Sequence, residues 1–510
     1  MIRAYRYIIV LVLLTGLPVL HSAGQAPYPF QHSLNLELEN HLYQSKDLSF
    51  ASLKPLYPFL HSNPQTLDSL FYPQVYQDFR PGQRSWFARK MFYENFYSRD
   101  SANIQLTINP VLDLTLQRNT GSDPMLYNNT RGITARVNLF DKVYIATHIY
   151  ETQSRFPRYI KQRIRSTRMI PGMGKANPFG DGGHDYYYSS GRIAWRPNEK
   201  NTLIAGHGKQ FVGGGYRSLL LSDVPYHFPH LQYLYQDQNF QYSKTVALLQ
   251  HEVEIENPVS PGREKTGVFH YVAGKIGSHL EVGLFEGNIV DNPDSKGAYS
   301  FYAGYINPVP LLNSLLPYNN IETHSLVGLN VNYRPTHTLN LYGQLALDEP
   351  FRNRPVDGDA SKWSGQAGVK LFEPLGVQNL ILQSELNISA PHTYGDERPT
   401  LTYTHFHEPM AHPFGSNFIE NVSWVHYRYR RFAFQGEVLF AKYGQDNVTG
   451  RPGRLFFSDL EISWIVNPAY DMRVFAGYTY REENGPDVGM KDGFVKVGVK
   501  TGWINRYFDF

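Results

Sequence analysis

The chain has 510 residues, no cysteine, and a formal net charge of +3 at pH 7. Hydrophobic residues make up 42% and aromatic residues 15%, but only 18% are charged, and the mean hydropathy is −0.41. The lack of cysteine excludes disulfide scaffolds, thiolate metal sites and cysteine nucleophiles. The small net charge gives no reason to expect a nucleic-acid partner. Many aromatic residues with few charges are typical of a chain that alternates apolar and polar positions, which disfavours helical membrane proteins and cytosolic helical enzymes.

Residues 1–24 predict an export signal. Arg3 and Arg6 precede an apolar run that continues to Leu20, and residues 22–24 are small. This order of charged, apolar and small residues is that of a secretory signal peptide, and we expect cleavage after Gly24. Removing the two arginines lowers the formal charge from +3 to +1. Since no second long apolar run follows, the exported chain either stays soluble or crosses a membrane as a β-barrel.

Residues 25–101 differ in composition from the rest of the chain. They are rich in proline and contain an aromatic and basic stretch at 86–93. We predict an N-terminal extension that is partly helical and acts as a periplasmic cap or plug.

From about residue 103 onward, apolar and polar residues alternate with a period of two, which predicts β-strands. Short turns such as Asp141-Lys142 and Gly277-Ser278 alternate along the chain with long connections such as 154–187, 291–321 and 390–417. Outer-membrane barrels sort short periplasmic turns and long extracellular loops in this way. About 17 strands can be counted and an even number is expected. The sequence therefore predicts an all-β fold, a transmembrane antiparallel β-barrel of about 16–18 strands over residues 102–510. A soluble propeller or sandwich is the alternative.

Phe494 to Lys500 alternates and predicts the last strand. Aromatic residues follow at Tyr507, Phe508 and Phe510. This ending resembles the signal that barrel assembly machinery reads.

The densest motif runs from Gly206 to Asp223 and contains five glycines. It is neither a phosphate-binding loop nor a dinucleotide fingerprint, because the required lysine and helix spacing is missing. A wide lumen has to be filled with hydrogen-bonded polar groups. The motif therefore predicts a loop folded into the lumen, where Lys209, Arg217 and Asp223 form polar contacts. Contact of these three residues with a ligand is the alternative.

Segment 155–175 is strongly basic and contains no aspartate or glutamate. Four of its cations, Arg158, Lys161, Arg163 and Arg165, are candidate contacts for an anionic polysaccharide or a lipopolysaccharide phosphate. A solvated extracellular loop is the alternative.

The sequence predicts no catalytic site, metal site or cofactor. His405, His407, Glu408 and His412 share one loop, but their spacing is not that of a helical zinc motif, and nearby prolines disfavour a helix there. No nucleophile, base and orienting acid come together in the sequence.

Several segments resemble the RemB gliding-motility group of the Bacteroidota, which is itself similar to the Wzi family of capsule-assembly outer-membrane barrels. The segments that carry this resemblance are 206–223, 284–286, 306–309, 341–344 with 348–349, 379–383 and 410–418.

The resemblance implies a location in the outer membrane, in contact with its lipid and lipopolysaccharide. The Wzi side implies binding of capsular polysaccharide, and the RemB side implies adhesion or gliding, with motility or secretion proteins as possible partners. We therefore expect a non-enzymatic outer-membrane barrel that binds or organises surface polysaccharide. A porin-like channel and a scaffold subunit of a secretion or motility machine are the alternatives.

Overall fold

The computed structural model describes residues 31–44, 50–56, 84–101, 103–119, 125–251, 263–291, 302–316, 321–351, 362–445, 452–485, 489–501 and 506–510. The export signal predicted for residues 1–24 lies outside this part of the chain.

Eighteen antiparallel strands close into one barrel, which confirms the prediction of 16–18 strands. Each strand pairs with the next along the chain, and the last pairs with the first. The first nine are β1 Ile104–Asn119, β2 Leu126–Leu139, β3 Val143–Arg155, β4 Gly183–Trp195, β5 Asn201–Gly208, β6 Phe228–Gln236, β7 Phe240–His251, β8 Arg263–Ile276 and β9 Leu280–Asp291. The others are β10 Thr323–Thr336, β11 Leu339–Asp348, β12 Trp363–Phe372, β13 Leu380–Ser389, β14 Phe418–Tyr429, β15 Phe432–Gln445, β16 Pro452–Asn467, β17 Met472–Asn484 and β18 Gly489–Thr501.

Alternation along each strand separates an apolar outer surface from a polar lumen. In β10, for example, Leu329 and Tyr333 point outward, whereas Asn330 and Asn332 are buried inside. The same outward exposure is found for Leu114, Leu116, Ile133, Ile149, Ile193, Leu203, Leu231, Leu248, Leu341, Leu345, Leu386, Ile419, Leu460, Ile462, Val495 and Val497. Such a continuous apolar belt is stable only against lipid, because a soluble protein rarely exposes large apolar patches.

The two ends of the barrel differ in their connections. At the short-turn end the longest connection is 373–379, whereas connections at the long-loop end include 156–182 and 390–417. Exposed aromatic residues next to the short turns form a girdle, as expected at a membrane interface. Its members are Phe140, Trp195, Phe240, Tyr333, Tyr429, Phe432 and Trp464.

One strand was not recognised from the sequence. Residues 228–236 form β6, which follows the glycine-rich motif and is not among the strands that the sequence predicts. Polar and apolar residues do alternate there, but the preceding glycines and Pro229 disfavour a strand in sequence-based prediction. This strand accounts for the difference between the 17 strands counted and the 18 observed.

Two strands share the pairing with β1 where the barrel closes. β18 pairs with only the far half of β1, from Phe494 opposite Asn119 to Lys500 opposite Asp113. The strand Tyr97–Ser101 pairs with the remaining half of β1. Part of the segment predicted as an extension thus contributes hydrogen bonds to the wall, and the division of the chain at residue 102 stays a prediction.

The final residues do not continue β18. Residues 506–510, here called the terminal segment, lie inside the barrel, where Tyr507 and Asp509 are buried. The aromatic ending that resembles an assembly signal therefore packs in the lumen instead of in the wall.

Four α-helices accompany the strands in the described residues: α1 His32–Gln44, α2 Trp86–Phe92, α3 Arg158–Thr167 and α4 Leu312–Leu315. The described helices include none whose length and apolar character suffice to span a membrane. Helix α1 lies within the barrel, since Glu37 contacts Arg428 of β14 at 3.0 Å and His32 contacts Gln383 of β13 at 2.9 Å. Short pairs outside the wall are Leu53–Lys54 with Phe211–Val212, Met169–Ile170 with Gly174–Lys175, and Thr404–His405 with Glu408–Pro409; Asn177–Phe179 pairs with β4.

Candidate functional site

The lumen is filled by residues 209–227, here called the lumen loop, together with parts of two other connections. Leu219, Leu220 and Leu221 are fully buried in the largest apolar cluster of the described chain. The cluster also contains Phe50, Tyr394, Leu401, Tyr403 and Met410, so chain segments far apart in sequence meet there. The interior is therefore a packed core of loops.

Glycines let the lumen loop approach the wall closely. A Cβ atom on Gly214 would lie 2.3 Å from Oδ1 of Asn332, and one on Gly215 would lie 2.6 Å from Oε2 of Glu385. The loop backbone is held by the same wall residues, because the Glu385 carboxylate accepts hydrogen bonds from the backbone N–H groups of Tyr216 and Arg217, both at 2.9 Å. The glycine motif is thus required for packing against the wall.

Arg217 is the central cation of the interior. Its side chain is fully buried, and it donates to Glu420 of β14 at 3.0 Å and to Asp509 of the terminal segment at 2.7 Å. His412 contacts the other oxygen of Glu420 at 2.7 Å, and Tyr216 donates to Asp509 at 2.9 Å. The network ties the lumen loop, the wall and the terminal segment together and leaves Arg217 no surface for a ligand.

Lys209 and Asp223, the other two candidates in the motif, are also buried. The Lys209 ammonium donates to the carbonyl oxygen of Asp223 at 2.7 Å, and the Asp223 carboxylate accepts from the Tyr507 hydroxyl at 2.7 Å. Burial lowers the pKa of Lys209, while Asp223 and Glu408 oppose this effect. The structure brings the three predicted residues Lys209, Arg217 and Asp223 into the same interior, where they contact protein groups.

The basic segment 155–175 contains a helix, α3, where the sequence predicts a loop. In α3, Tyr159, Ile160 and Ile164 are buried and pack with Phe156, Tyr186 and Phe508. This helix is therefore an amphipathic element at the long-loop end of the barrel, with one apolar side turned inward.

The four predicted cations of α3 divide between its two sides. Arg158 and Arg165 are exposed and Lys161 is half-buried, and their spacing of three and four residues places them on one side, here called the basic face. Arg163 points the other way, with its guanidinium 5.4 Å from the centre of the Phe510 ring. Arg163 thus belongs to the packing inside the barrel. A helical reading of the sequence separates it from the other three, since residues 159, 160, 163 and 164 share one side of a helix.

No acidic residue pairs with Arg158 or Arg165 in the part of the chain that the structure describes. Arg155, at the end of β3, donates to the backbone oxygen of Asp181 and lies 3.8 Å from the Asp181 carboxylate. The basic face therefore presents positive charge to the solvent.

The residues of the histidine-rich stretch 405–412 make hydrogen bonds with different parts of the protein. His405 accepts a hydrogen bond at Nδ1 from the backbone N–H of Gln250 at 3.0 Å, and His412 contacts Glu420. Glu408 accepts from the backbone N–H groups of Gly172 and Tyr226 at 2.6 and 2.9 Å. Burial raises the pKa of Glu408 to about 7, although those two N–H groups, Lys209 and Arg163 lower it.

An internal cavity of about 290 Å³ remains between α1, the terminal segment and the wall. Two lysines of its lining are paired with acidic residues: Lys496 contacts Asp459 at 2.6 Å, and Lys500 contacts Glu461 at 2.6 Å. Such a cavity accommodates water or a small polar molecule, because its lining groups offer both donors and acceptors.

Comparison with known proteins yields fold similarity only. Neither the protein-family models nor the curated proteins match this sequence. Among solved structures, the chain is similar to Wzi of Escherichia coli, an outer-membrane protein involved in group 1 capsule assembly and described as a carbohydrate-binding β-barrel. The match has 14% identity and a TM-score of 0.55, and it covers 94% of this chain and 99% of Wzi.

Two further solved structures match with lower TM-scores. OccAB2 of Acinetobacter baumannii has 11% identity and a TM-score of 0.45, with 78% of this chain and 97% of that chain covered. OprD of Pseudomonas aeruginosa has 11% identity and a TM-score of 0.41, with 81% and 96% covered. The closed wall of eighteen strands and its apolar outer belt identify the chain as an outer-membrane β-barrel, and its fold is similar to that of Wzi.

Proposed function

We propose that the chain is a non-enzymatic outer-membrane barrel that binds an acidic surface polysaccharide through the basic face of α3. The observation that carries the proposal is that Arg158 and Arg165 are exposed, and Lys161 is half-buried, on one side of a helix whose other side is anchored in the barrel. Arginine donates paired hydrogen bonds to carboxylates and phosphates, and a rigid helix holds the cations in place. The fold similarity to Wzi, a carbohydrate-binding barrel, supports the same conclusion.

Lys209, Arg217, Asp223 and Arg163 are not part of this proposed surface. They contact protein groups in the interior, and a polymer has no access to them without displacement of the lumen loop or α3. The proposal therefore uses three of the seven residues that the sequence suggested.

Replacing Arg158, Lys161 and Arg165 together with glutamine is expected to weaken binding of polygalacturonate about tenfold at low salt. Exposed charge contacts contribute about 0.5 kcal/mol each, so three of them amount to about tenfold in affinity. The residual binding should depend less on salt, because exposed charges are screened over about 8 Å at physiological ionic strength. Binding is measured with detergent-purified protein, and neutral dextran serves as the uncharged probe.

The matched control replaces Lys142, Lys200 and Arg430 with glutamine. These residues are exposed in turns at the short-turn end, so the net charge changes equally while the basic face stays intact. Because the chain has no cysteine, Ser166→Cys and Ser278→Cys allow each end to be labelled on intact cells, and only the first is expected to react. Equal polymer binding by the parent and the α3 triple variant would exclude the basic face as the binding surface.

Adhesion or gliding motility, which the RemB resemblance implies, enters the proposal as a consequence of polysaccharide retention. A barrel that holds a polymer at the cell surface also links the cell to whatever the polymer contacts. A partner from a motility or secretion machine is the alternative to this polymer-based role.

A channel is the second candidate function, and the polar cavity beside β16–β18 favours it. We nevertheless expect the purified protein to show no steady conductance steps in a planar bilayer, because the lumen loop, α1 and the terminal segment pack against the wall. A barrel of established conductance, reconstituted in the same way, serves as the channel control. Large and steady steps from the parent protein would favour the channel over the polysaccharide-binding barrel.

A further inference from the structure

A buried histidine faces two carboxylates at the long-loop end of the barrel, far along the wall from α3. His324 is the second residue of β10, Glu349 follows β11 directly, and Asp396 lies in the connection 390–417. One ligand atom from each of the three lies within 4.8 Å of the other two. The side chains of His324 and Asp396 are 0% and 5% exposed, and that of Glu349 is 9% exposed, so the cluster is shielded from bulk water.

The orientation of the His324 ring is set by a fourth residue. Nε2 of His324 lies 2.5 Å from Oδ1 of Asp348, and the other oxygen of Asp348 accepts from the backbone N–H of Tyr394 at 2.7 Å. A neutral imidazole whose Nε2–H donates to a carboxylate has an unprotonated Nδ1 with an available lone pair. Metal-binding histidines are held by carboxylates in this same way.

Nδ1 of His324 is buried and has no hydrogen-bond partner among the described residues. The nearest acidic oxygen, Oδ2 of Asp396, is 3.9 Å away, which is too far for a hydrogen bond. A lone pair directed toward carboxylates is unfavourable unless a proton or a metal cation lies between them. Two tetrahedral ligands about 2.1 Å from a zinc ion are about 3.4 Å apart, so a small inward movement brings these atoms to coordination distance.

The carboxylate of Asp396 and the backbone of Glu349 are held by hydrogen bonds. The backbone N–H of Arg398 donates to Oδ1 of Asp396 at 2.9 Å, which leaves Oδ2 directed toward His324. The backbone N–H of Glu349 donates to the carbonyl oxygen of Ser325 at 2.8 Å. The ammonium of Lys362 lies 3.4 Å from Glu349 and donates to the carbonyl oxygen of Gly395 at 3.1 Å, so it competes with a metal ion for Glu349.

We propose that His324, Glu349 and Asp396 bind a divalent transition-metal ion of the zinc class, with Asp348 orienting the histidine. One imidazole and two carboxylates suit zinc or manganese better than calcium, which prefers oxygen ligands only. The site goes beyond the proposed polysaccharide binding, since it lies on other strands and uses none of the basic-face residues. It links the ends of β10 and β11 to the connection 390–417.

The test is calorimetric titration of Zn²⁺ into the full-length, detergent-purified protein without a polyhistidine tag, after treatment with a chelator. The parent is expected to bind one Zn²⁺ more than the His324→Ala variant, which corrects for other histidines on the surface. Asp396→Asn should lose the same site, and Asp348→Asn should weaken it about tenfold or more because the ring is no longer oriented. Lys362→Gln should strengthen it.

His337→Ala, in the exposed turn between β10 and β11, is the matched control and should bind as the parent does. Faster migration of the unboiled protein on a gel shows that each variant has folded. If His324 is instead a protonated imidazolium paired with Asp348 and Asp396, the parent and both His324→Ala and Asp396→Asn bind equal amounts of Zn²⁺. That result would overturn the proposal.

Discussion

Replacing Arg217 with methionine is expected to lower the temperature at which the folded barrel unfolds more than any change at an exposed arginine. The guanidinium is fully buried between Glu420 and Asp509. Without it, two buried carboxylates lose their cation, and breaking a buried ion pair in this way costs about 3–5 kcal/mol. His412 and Tyr216 remain beside the carboxylates but supply only one hydrogen bond each. The measurement is the temperature at which the faster, folded gel band converts to the slower, unfolded band.

Two variants control this experiment. Arg165→Met removes an exposed arginine and should unfold with the parent. The combination of Arg217→Met with Glu420→Gln and Asp509→Asn removes the three charges together and should recover much of the lost stability, because neither carboxylate that Arg217 neutralised remains charged. If Arg217→Met alone unfolds at the parent temperature, the network does not hold the lumen loop and the terminal segment to the wall.

Docking of the connection 156–182 is expected to weaken as the pH rises from about 5 to about 8. Glu408 holds this connection through the N–H of Gly172, and burial raises the pKa of Glu408 from 4.5 to about 7. A carboxyl whose pKa is raised on folding stabilises the folded state fully below about pH 4.5, and this stabilisation is lost as the pH rises through about 7. A shift of this size corresponds to about 3 kcal/mol. Hydrogen exchange in the peptide around Gly172, corrected for intrinsic rates, measures the effect.

Two charged groups facing Glu408 oppose the effect of burial on its pKa. Lys209 of the lumen loop and Arg163 of α3 both lower its pKa and are themselves held in the interior. Glu408→Gln should make the exchange independent of pH over this range, whereas Glu199→Gln, in an exposed turn, should leave it as in the parent. A pH dependence that persists in Glu408→Gln would assign the effect to another group.

The sequence predicts the surroundings of some candidate residues correctly and those of others wrongly. Sequence reasoning placed Lys209, Arg217 and Asp223 in a lumen loop with polar contacts, and they lie in such a loop. It grouped Arg163 with Arg158 and Arg165, because the segment was not recognised as helical. The helical period in Tyr159, Ile160 and Ile164 was available, but Pro157 and the many cations masked it.

The sequence alone does not predict the proposed metal site. His324, Glu349 and Asp396 are far apart along the chain, and no local spacing connects them. They meet because β10 pairs with β11 in a register that places Leu326 opposite Asp348, and because the connection 390–417 folds back over both strand ends.

The sequence by itself predicts a membrane barrel with short turns at one end and long loops at the other. The strands follow from the alternation of apolar and polar residues, and the two ends follow from the lengths of the connections. This succeeds because a strand with a period of two has one lipid face and one lumen face, whatever its partners are. Only the tertiary structure decided which loops fill the lumen, where Arg217 finds its carboxylates, and that the terminal segment turns inward instead of completing the wall. Those outcomes depend on contacts between residues 200 or more positions apart, such as Arg217 with Glu420 and Asp509. The energy of burying a charge depends on its partners, and the local sequence does not specify those partners.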